Sequence, residues 1–320
     1  MIFRKLIALA SLLLWPTLAG AWTLQDVGEF KFEPLTKNVY VMHGPRQEPN
    51  VKNMGFMNNP AFIDSTNGLI VVDPGGTLQV GEHVLVEIRK ISKKPILAVF
   101  NTHIHGDHWL GNQAIKNAFP DVKIYGHPKM IAQANGANGA DWVDRMDRLT
   151  KGLSKGTKVV APENSVDNKA VVEVDGQTFR IHQPDPAAHT DTDIMIEHVN
   201  SKTLFLGDNS FVLRMGRFDG SASIHGNIKA LQYALTLKLD HYVPGHGQSG
   251  SADVAVQPFL TYLEKLRVDV TKGYRAEKPD YKIRNDILAN FSAYKDWTGF
   301  DSNFGKHVSK IYLEIEELEF

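Results

Sequence analysis

The chain reads as an α/β fold, and three observations carry that reading. Short apolar runs alternate with helix-spaced segments through the first half of the sequence. Two pairs of alternating runs later in the chain form hairpin patterns, one of them closed by Asp175-Gly176. Histidine and aspartate cluster in loops that directly follow apolar runs, which is where α/β sheets collect functional groups.

In chain order, Val39-Tyr40-Val41-Met42 and Ala61-Phe62-Ile63 read as short strands, and Leu69-Ile70-Val71-Val72-Asp73 as a buried one stopped by Pro74-Gly75-Gly76. Val80, Val84, Ile88 and Ile91 recur at helical spacing, which predicts a helix over 79–92. A strand over 95–100 follows, then a helix over 109–118 stopped by Pro120, then the strand 122–125. Residues 133–168 interrupt the alternation. They are expected to be an insertion comprising a Gly/Asn-rich loop at 133–139, a helix over 140–153 and a polar remainder, and the sequence leaves open whether this insertion shapes a pocket. Strands 171–174 and 177–182 flank the Asp-Gly turn, strands 194–198 and 203–206 form the second hairpin, and a helix over 228–239 leads to a strand at 241–243. Residues 251–320 are expected to be a mainly helical extension packed on the same domain, with helix over 252–272 and further helix to about 295.

The first twenty-one residues read as a secretory signal peptide. Arg4 and Lys5 supply the charge, residues 6–15 a short apolar run, and Ala19-Gly20-Ala21 a cleavage site before Trp22. The apolar run is too short for a stable span. A periplasmic or secreted protein with no membrane span after cleavage is expected, with a single domain over 22–250 carrying the chemistry. There is no cysteine, so neither disulfides nor thiolate ligands are available. The net charge of −1 gives no electrostatic case for a nucleic-acid partner.

The run Asn101-Thr102-His103-Ile104-His105-Gly106-Asp107-His108-Trp109 places three imidazoles and a carboxylate within a few positions at the end of a strand. These are ligand types for divalent first-row metals. His189, Asp208 and His246 each follow a later apolar strand in a Gly- or Pro-bearing segment. The seven side chains together exceed the roughly three protein ligands of a single catalytic zinc, which points to two metal ions. Of the thirteen histidines, His43, His83, His127, His182, His198, His241 and His307 show no such spacing and read as structural. Trp109 and His225 are left open as pocket residues; Asp191 and Asp193 either orient ligands through hydrogen bonds or cap the next strand, and the second reading is preferred.

This set resembles the metallo-β-lactamase superfamily over nearly all of residues 30–250. Asp73 in Val71-Val72-Asp73-Pro74-Gly75 matches its first motif, His103-x-His105-x-Asp107-His108 the second, and His189, Asp208 and His246 the third to fifth. The resemblance implies a four-layer αβ/βα sandwich with additional C-terminal helices and two zinc ions at one edge of the sheets. It implies that His103, His105 and His189 bind the first ion, that Asp107, His108 and His246 bind the second, and that Asp208 bridges them, with Asp73 fixing the loop. Asp107 and Asp208 would then be catalytic. The stretch Lys310–Glu316 and the export signal make the chain similar to periplasmic zinc metallohydrolases of the quinoprotein-relay or sulfur-oxidation type. The implied activity is hydrolysis of a small-molecule substrate through a metal-bridging hydroxide attacking a carbonyl-type or related electrophile. Asp208 and the missing cysteine weigh against a dedicated β-lactamase, and His105 against the redox members. Three alternatives stay open: β-lactamase-type activity, a mononuclear iron persulfide dioxygenase, and a non-catalytic metal-bound partner of a periplasmic redox protein such as a quinoprotein.

Overall fold

A computed structural model describes residues 30–319; the signal-peptide reading falls on residues outside this range. The first sheet begins with β1 (Glu33–Pro34), β2 (Val39–Val41), β3 (Ala61–Asp64) and β4 (Leu69–Val72). Helix α1 (Leu78–Ile91) crosses to β5 (Ile96–Phe100), and α2 (Gly106–Trp109) and α3 (Asn112–Ala118) lead to β6 (Lys123–Gly126). Two further helices, α4 (Pro128–Ala134) and α5 (Ala137–Leu149), precede the short β7 (Asn164–Ser165). These seven strands form one sheet in simple sequence order, antiparallel through β4 and parallel from β4 to β7.

The second sheet is built from β8 (Val171–Val174), β9 (Gln177–His182), β10 (Met195–His198) and β11 (Thr203–Phe211). Helix α6 (Ile224–Thr236) then crosses to β12 (His241–His246), which pairs in parallel with β11. The strand order is β12-β11-β10-β9-β8. The remaining helices are α7 (Ala252–Ala255), α8 (Gln257–Arg275), α9 (Asp280–Ile287) and α10 (Phe300–Glu319).

The layers follow from the two-residue period of the strands. In β4, Ile70 and Val72 join Ala98 and Phe100 of β5 and Phe179, Ile181, Ile196 and Phe205 of the second sheet in one buried core between the sheets. The alternate residues Leu69 and Val71 turn the other way, onto Val80, Val84 and Ile88 of α1 and Ile115 of α3. On the far face of the second sheet, Leu204, Leu206 and Tyr242 pack against α6, α8, α9 and α10. Helix, sheet, sheet, helix is the four-layer sandwich expected from the sequence, with the C-terminal helices in its outer layer. No described helix is long and apolar enough to cross a membrane.

Several boundaries differ from the expectation. The 109–118 helix is two helices, α2 and α3, and the motif itself supplies the first turn of α2. The Gly/Asn-rich stretch at 133–139 is mostly helical. Pro128 sits at the start of α4, where the His127 ring accepts from the Lys129 N–H at 3.1 Å. Gly139 lies inside α5, and a Cβ there would meet the Ala134 carbonyl oxygen at 2.0 Å, so the glycine serves the close packing of α4 and α5, not a loop. Helix α6 starts at Ile224, four residues early, with the Ser223 hydroxyl accepting from the Gly226 N–H at 2.9 Å. At that same end Glu314 of α10 accepts from the N–H groups of Ile224 and His225 at 2.8 and 2.9 Å.

Candidate metal centre

Asp73 follows β4, His103 and His105 follow β5, Asp107 and His108 open α2, and His189 follows β9. Asp208 and His246 were expected in loops after their strands. They lie instead within β11 and at the last position of β12, in a stretch where the β11–β12 register shifts around Gly207. The irregular pairing is what turns Asp208 toward the site. Gly245 makes room for it, since a Cβ there would meet the Asp208 Oδ1 at 2.0 Å.

The structure brings all seven sequence-selected side chains together in two groups, His103, His105, His189 and Asp208, and Asp107, His108 and His246. Asp208 faces both. Its Oδ2 lies 3.3 Å from His189 Nε2 and 3.8 Å from His103 Nε2. Its Oδ1 lies 3.0 Å from His108 Nε2 and 3.2 Å from His246 Nε2. Asp107 Oδ2 stands 3.3 Å from His246 Nε2 and 3.4 Å from His108 Nε2. His189 Nε2 and His105 Nδ1 are 2.9 Å apart.

The hydrogen bonds behind these rings set which nitrogen carries the proton. His108 Nδ1–H donates to Asp73 Oδ2 at 2.8 Å. His246 Nδ1–H donates to the Met57 carbonyl at 2.7 Å. Asp73 also accepts from the Thr102 hydroxyl at 2.7 Å and the Thr102 N–H at 2.9 Å. Having donated its only hydrogen to Asp73, the Thr102 oxygen accepts from His103 Nδ1–H at 3.0 Å. In its neutral form each of the three rings therefore turns a bare Nε2 lone pair inward. His103 Nε2, His108 Nε2 and Asp208 Oδ1 are buried with no hydrogen-bond partner among the described residues. Buried acceptors aimed at one another are costly unless a cation stands between them, so the residues fit divalent metal ions.

Proton affinities differ between the two groups. Burial, reinforced by the His108 charge, holds His103 well below the ordinary histidine range. Burial lowers His105 and brings His189 down to about 3. Burial pushes the Asp208 carboxyl up, but the His246 and His108 rings outweigh it and keep it ionised. Burial lowers His108 and His246 too, yet the carboxylates around them, Asp208 foremost, raise both, so the second proton these two rings hold is one that a metal would displace.

Asp73 holds its place in the left-handed region, at φ +50°, and does what the sequence assigned to it: it fixes the loop. Asp193 fixes the His189 loop, accepting from the Thr190 N–H at 2.8 Å and hydroxyl at 2.6 Å. Burial raises it to about 7. Trp109 is core, fully buried, its indole N–H donating to the Ile104 carbonyl at 2.7 Å. His225 turns to Glu314 at 2.5 Å and does not line the cavity. The insertion does line it. Helix α5 contributes Trp142, Arg145, Met146 and Leu149 to an open cavity over His105, Asp107, His189, Asp208 and His246. Thr102 and the Met57 carbonyl were not selected from the sequence. Thr102 could have been noticed inside the motif, whereas a backbone acceptor leaves no signal.

Comparison with known proteins agrees with this geometry. The metallo-beta-lactamase of Pontibacter korlensis shares the fold at a TM-score of 0.57 and 18% identity, over 74% of this chain and 99% of that one. The sec-alkylsulfatase Pisa1 of a Pseudomonas species superposes at 0.67 and 17% identity, over 89% of this chain and 50% of that one. Local sequence matches include a linear primary-alkylsulfatase from Pseudomonas sp. (strain ATCC 19151), 47% identical over 53 residues, 17% of this chain and 10% of that protein. A hydroxyacylglutathione hydrolase from Nostoc sp. is 44% identical over 59 residues, 18% of this chain and 21% of that protein. These matches span only about a tenth to a fifth of the relatives' lengths. The family model for the metallo-beta-lactamase superfamily matches residues 54–246, from the loop that holds His246 to His246 itself. That stretch contains every side chain of the two groups, and the chain belongs to the metallo-beta-lactamase superfamily.

Proposed function

We propose that this protein is an exported, dinuclear zinc hydrolase acting on a small-molecule substrate. One observation carries the reading: five imidazoles and two carboxylates converge in two groups, with Asp208 presenting one oxygen to each. A donor set of nitrogen and oxygen without thiolate suits zinc. Two ions held there would supply Lewis acidity and a water acidic enough to attack near neutral pH. The chain's own residues do the rest. Asp73, Thr102 and the Met57 carbonyl hold three rings in the ligating tautomer. Asp208 sets negative charge between two positions that would otherwise repel. Trp142, Met146 and Phe211 wall the cavity and limit water. Asp107 and Asp208 are the residues nearest the reacting atoms in this reading. Export rests on the charged, apolar and Ala-Gly-Ala segments of residues 1–21.

Metal analysis of the purified protein, paired with a hydrolysis screen on esters, thioesters, sulfate esters and a chromogenic cephalosporin, tests the reading. Two zinc ions per chain and turnover that collapses in His105→Ala and Asp208→Ala are expected. Retention of two ions in either variant would sink the assignment, and a single iron would point to a dioxygenase instead. The mature N-terminus of exported protein should be Trp22.

A further inference from the structure

Helix α5 turns one face to the cavity: Trp142, Arg145, Met146 and Leu149 recur at helical spacing and all line it. Arg145 is the unusual member. Its guanidinium stacks over the Trp142 ring at 4.9 Å, and Trp142 in turn lies 5.1 Å from the His105 ring. Helix α5 carries Asp141 one turn before Arg145, at the spacing of a helical ion pair. Yet among the described residues Arg145 makes no ion pair and no hydrogen bond. The other two arginines of the cavity are committed. Glu48 binds Arg214 at 2.5 Å and Arg217 at 2.9 Å. Around them the wall is largely apolar, with Met57, Trp142, Met146, Phe211 and Met215, and Asp219 is the one carboxylate outside the metal groups and the Glu48 pair.

We propose that the substrate carries an anionic group on an apolar body, and that Arg145 binds the anion beside the His105 group. The proposal rests on reading the two groups as a hydrolytic metal site. The stack on Trp142 holds the guanidinium in place before a substrate arrives, so little rotamer freedom is lost on binding. A planar fork with no internal partner is suited to a carboxylate or sulfate. The apolar wall accepts the body, and helix α5 becomes the element that sets specificity.

Calorimetric titration of the metal-free full chain with 2-naphthoate and its neutral analogue 2-naphthamide tests this. Removing metal matters, since a carboxylate would otherwise also bind the ions. Naphthoate should bind about tenfold or more tightly than naphthamide, as a charge-assisted pair requires. Arg145→Gln should erase the difference and Arg145→Lys should keep part of it. Arg148→Gln, on the same helix but outside the cavity, should leave it unchanged. Equal binding of the two probes to the wild-type chain, or a preference that survives Arg145→Gln, overturns the proposal. Because the readout needs no metal, its failure is separable from that of the hydrolase reading, which fails on metal content and turnover.

Discussion

Replacing Asp73 by asparagine separates the two halves of the centre. The change keeps size and keeps one carbonyl-type oxygen, which can still accept the Thr102 N–H now bound at 2.9 Å. The other oxygen becomes an NH2 facing two donors, the Thr102 hydroxyl and His108 Nδ1–H. The hydroxyl can rotate and accept from the amide, still receiving His103 Nδ1–H, so His103 keeps its tautomer. His108 has no such freedom. It must move its proton to Nε2, which then points an N–H at Asp208, or lose its hydrogen bond altogether. Loss of such a carboxylate behind a ligating histidine costs about 10–100-fold in metal affinity, or ~1.4–2.7 kcal/mol. The loss should fall on the group of Asp107, His108 and His246, and leave the other group within about twofold. Competition against a chromophoric chelator resolves the two stepwise affinities. Thr102→Val is the complementary variant and should weaken the His103 group instead. If Asp73→Asn lowers both affinities equally, or lowers neither while destabilising the apoprotein, Asp73 is only a structural residue and the tautomer argument is wrong.

Other consequences can be measured in the same way. Gly245→Ala drives a methyl into Asp208 Oδ1, so metal content should fall and stability drop by ~1–3 kcal/mol; normal metal loading would show that Asp208 needs no such space. His307 is buried, its Nε2–H donating to the Gly216 carbonyl at 2.8 Å and its Nδ1 accepting from Tyr262 at 2.9 Å. Burial lowers it to about 4. A histidine depressed on folding stabilises the protein above the unfolded pKa of about 6.5 and loses that contribution as pH falls toward 4; between pH 7 and 5 the loss is ~2 kcal/mol. His307→Gln, which can keep both hydrogen bonds, should show a flatter urea-stability profile by that amount, and an unchanged slope would count against it. Glu314→Ala removes an acceptor shared by two helix-end N–H groups and should cost ~1–2 kcal/mol in urea unfolding; an unshifted midpoint would contradict the contact.

How much of this could be read without coordinates depended on range. Leu69–Val72 and Ile96–Phe100 are apolar on both faces because both faces are covered, and a continuous apolar run says so directly. The second hairpin pairs Ile196 with Phe205 as the alternation implied. The ligand-type residues of the centre were visible from their types and from what preceded them. Three things were not. The strand β11 runs through Asp208 because pairing with β12 continues past the bulge at Gly207, and an Asp-Asn pair after Gly reads locally as a turn. The glycine at 139 reads as a loop former, though its reason is the nearby carbonyl of residue 134. Trp109 and Trp142 look alike in sequence, one beside the motif and one far from it. Packing assigns the first to the core and the second to the cavity.

Glu314 ties two distant parts of the sequence together. It closes the N-terminal end of α6, and Ser223, at the start of that helix, donates its N–H to the Ala188 carbonyl beside His189 at 2.7 Å. The backbone that carries one ligand ring thus leans on a helix far later in the sequence. A change in α10 at Glu314 can loosen that backbone without touching any of the seven ligand-type side chains.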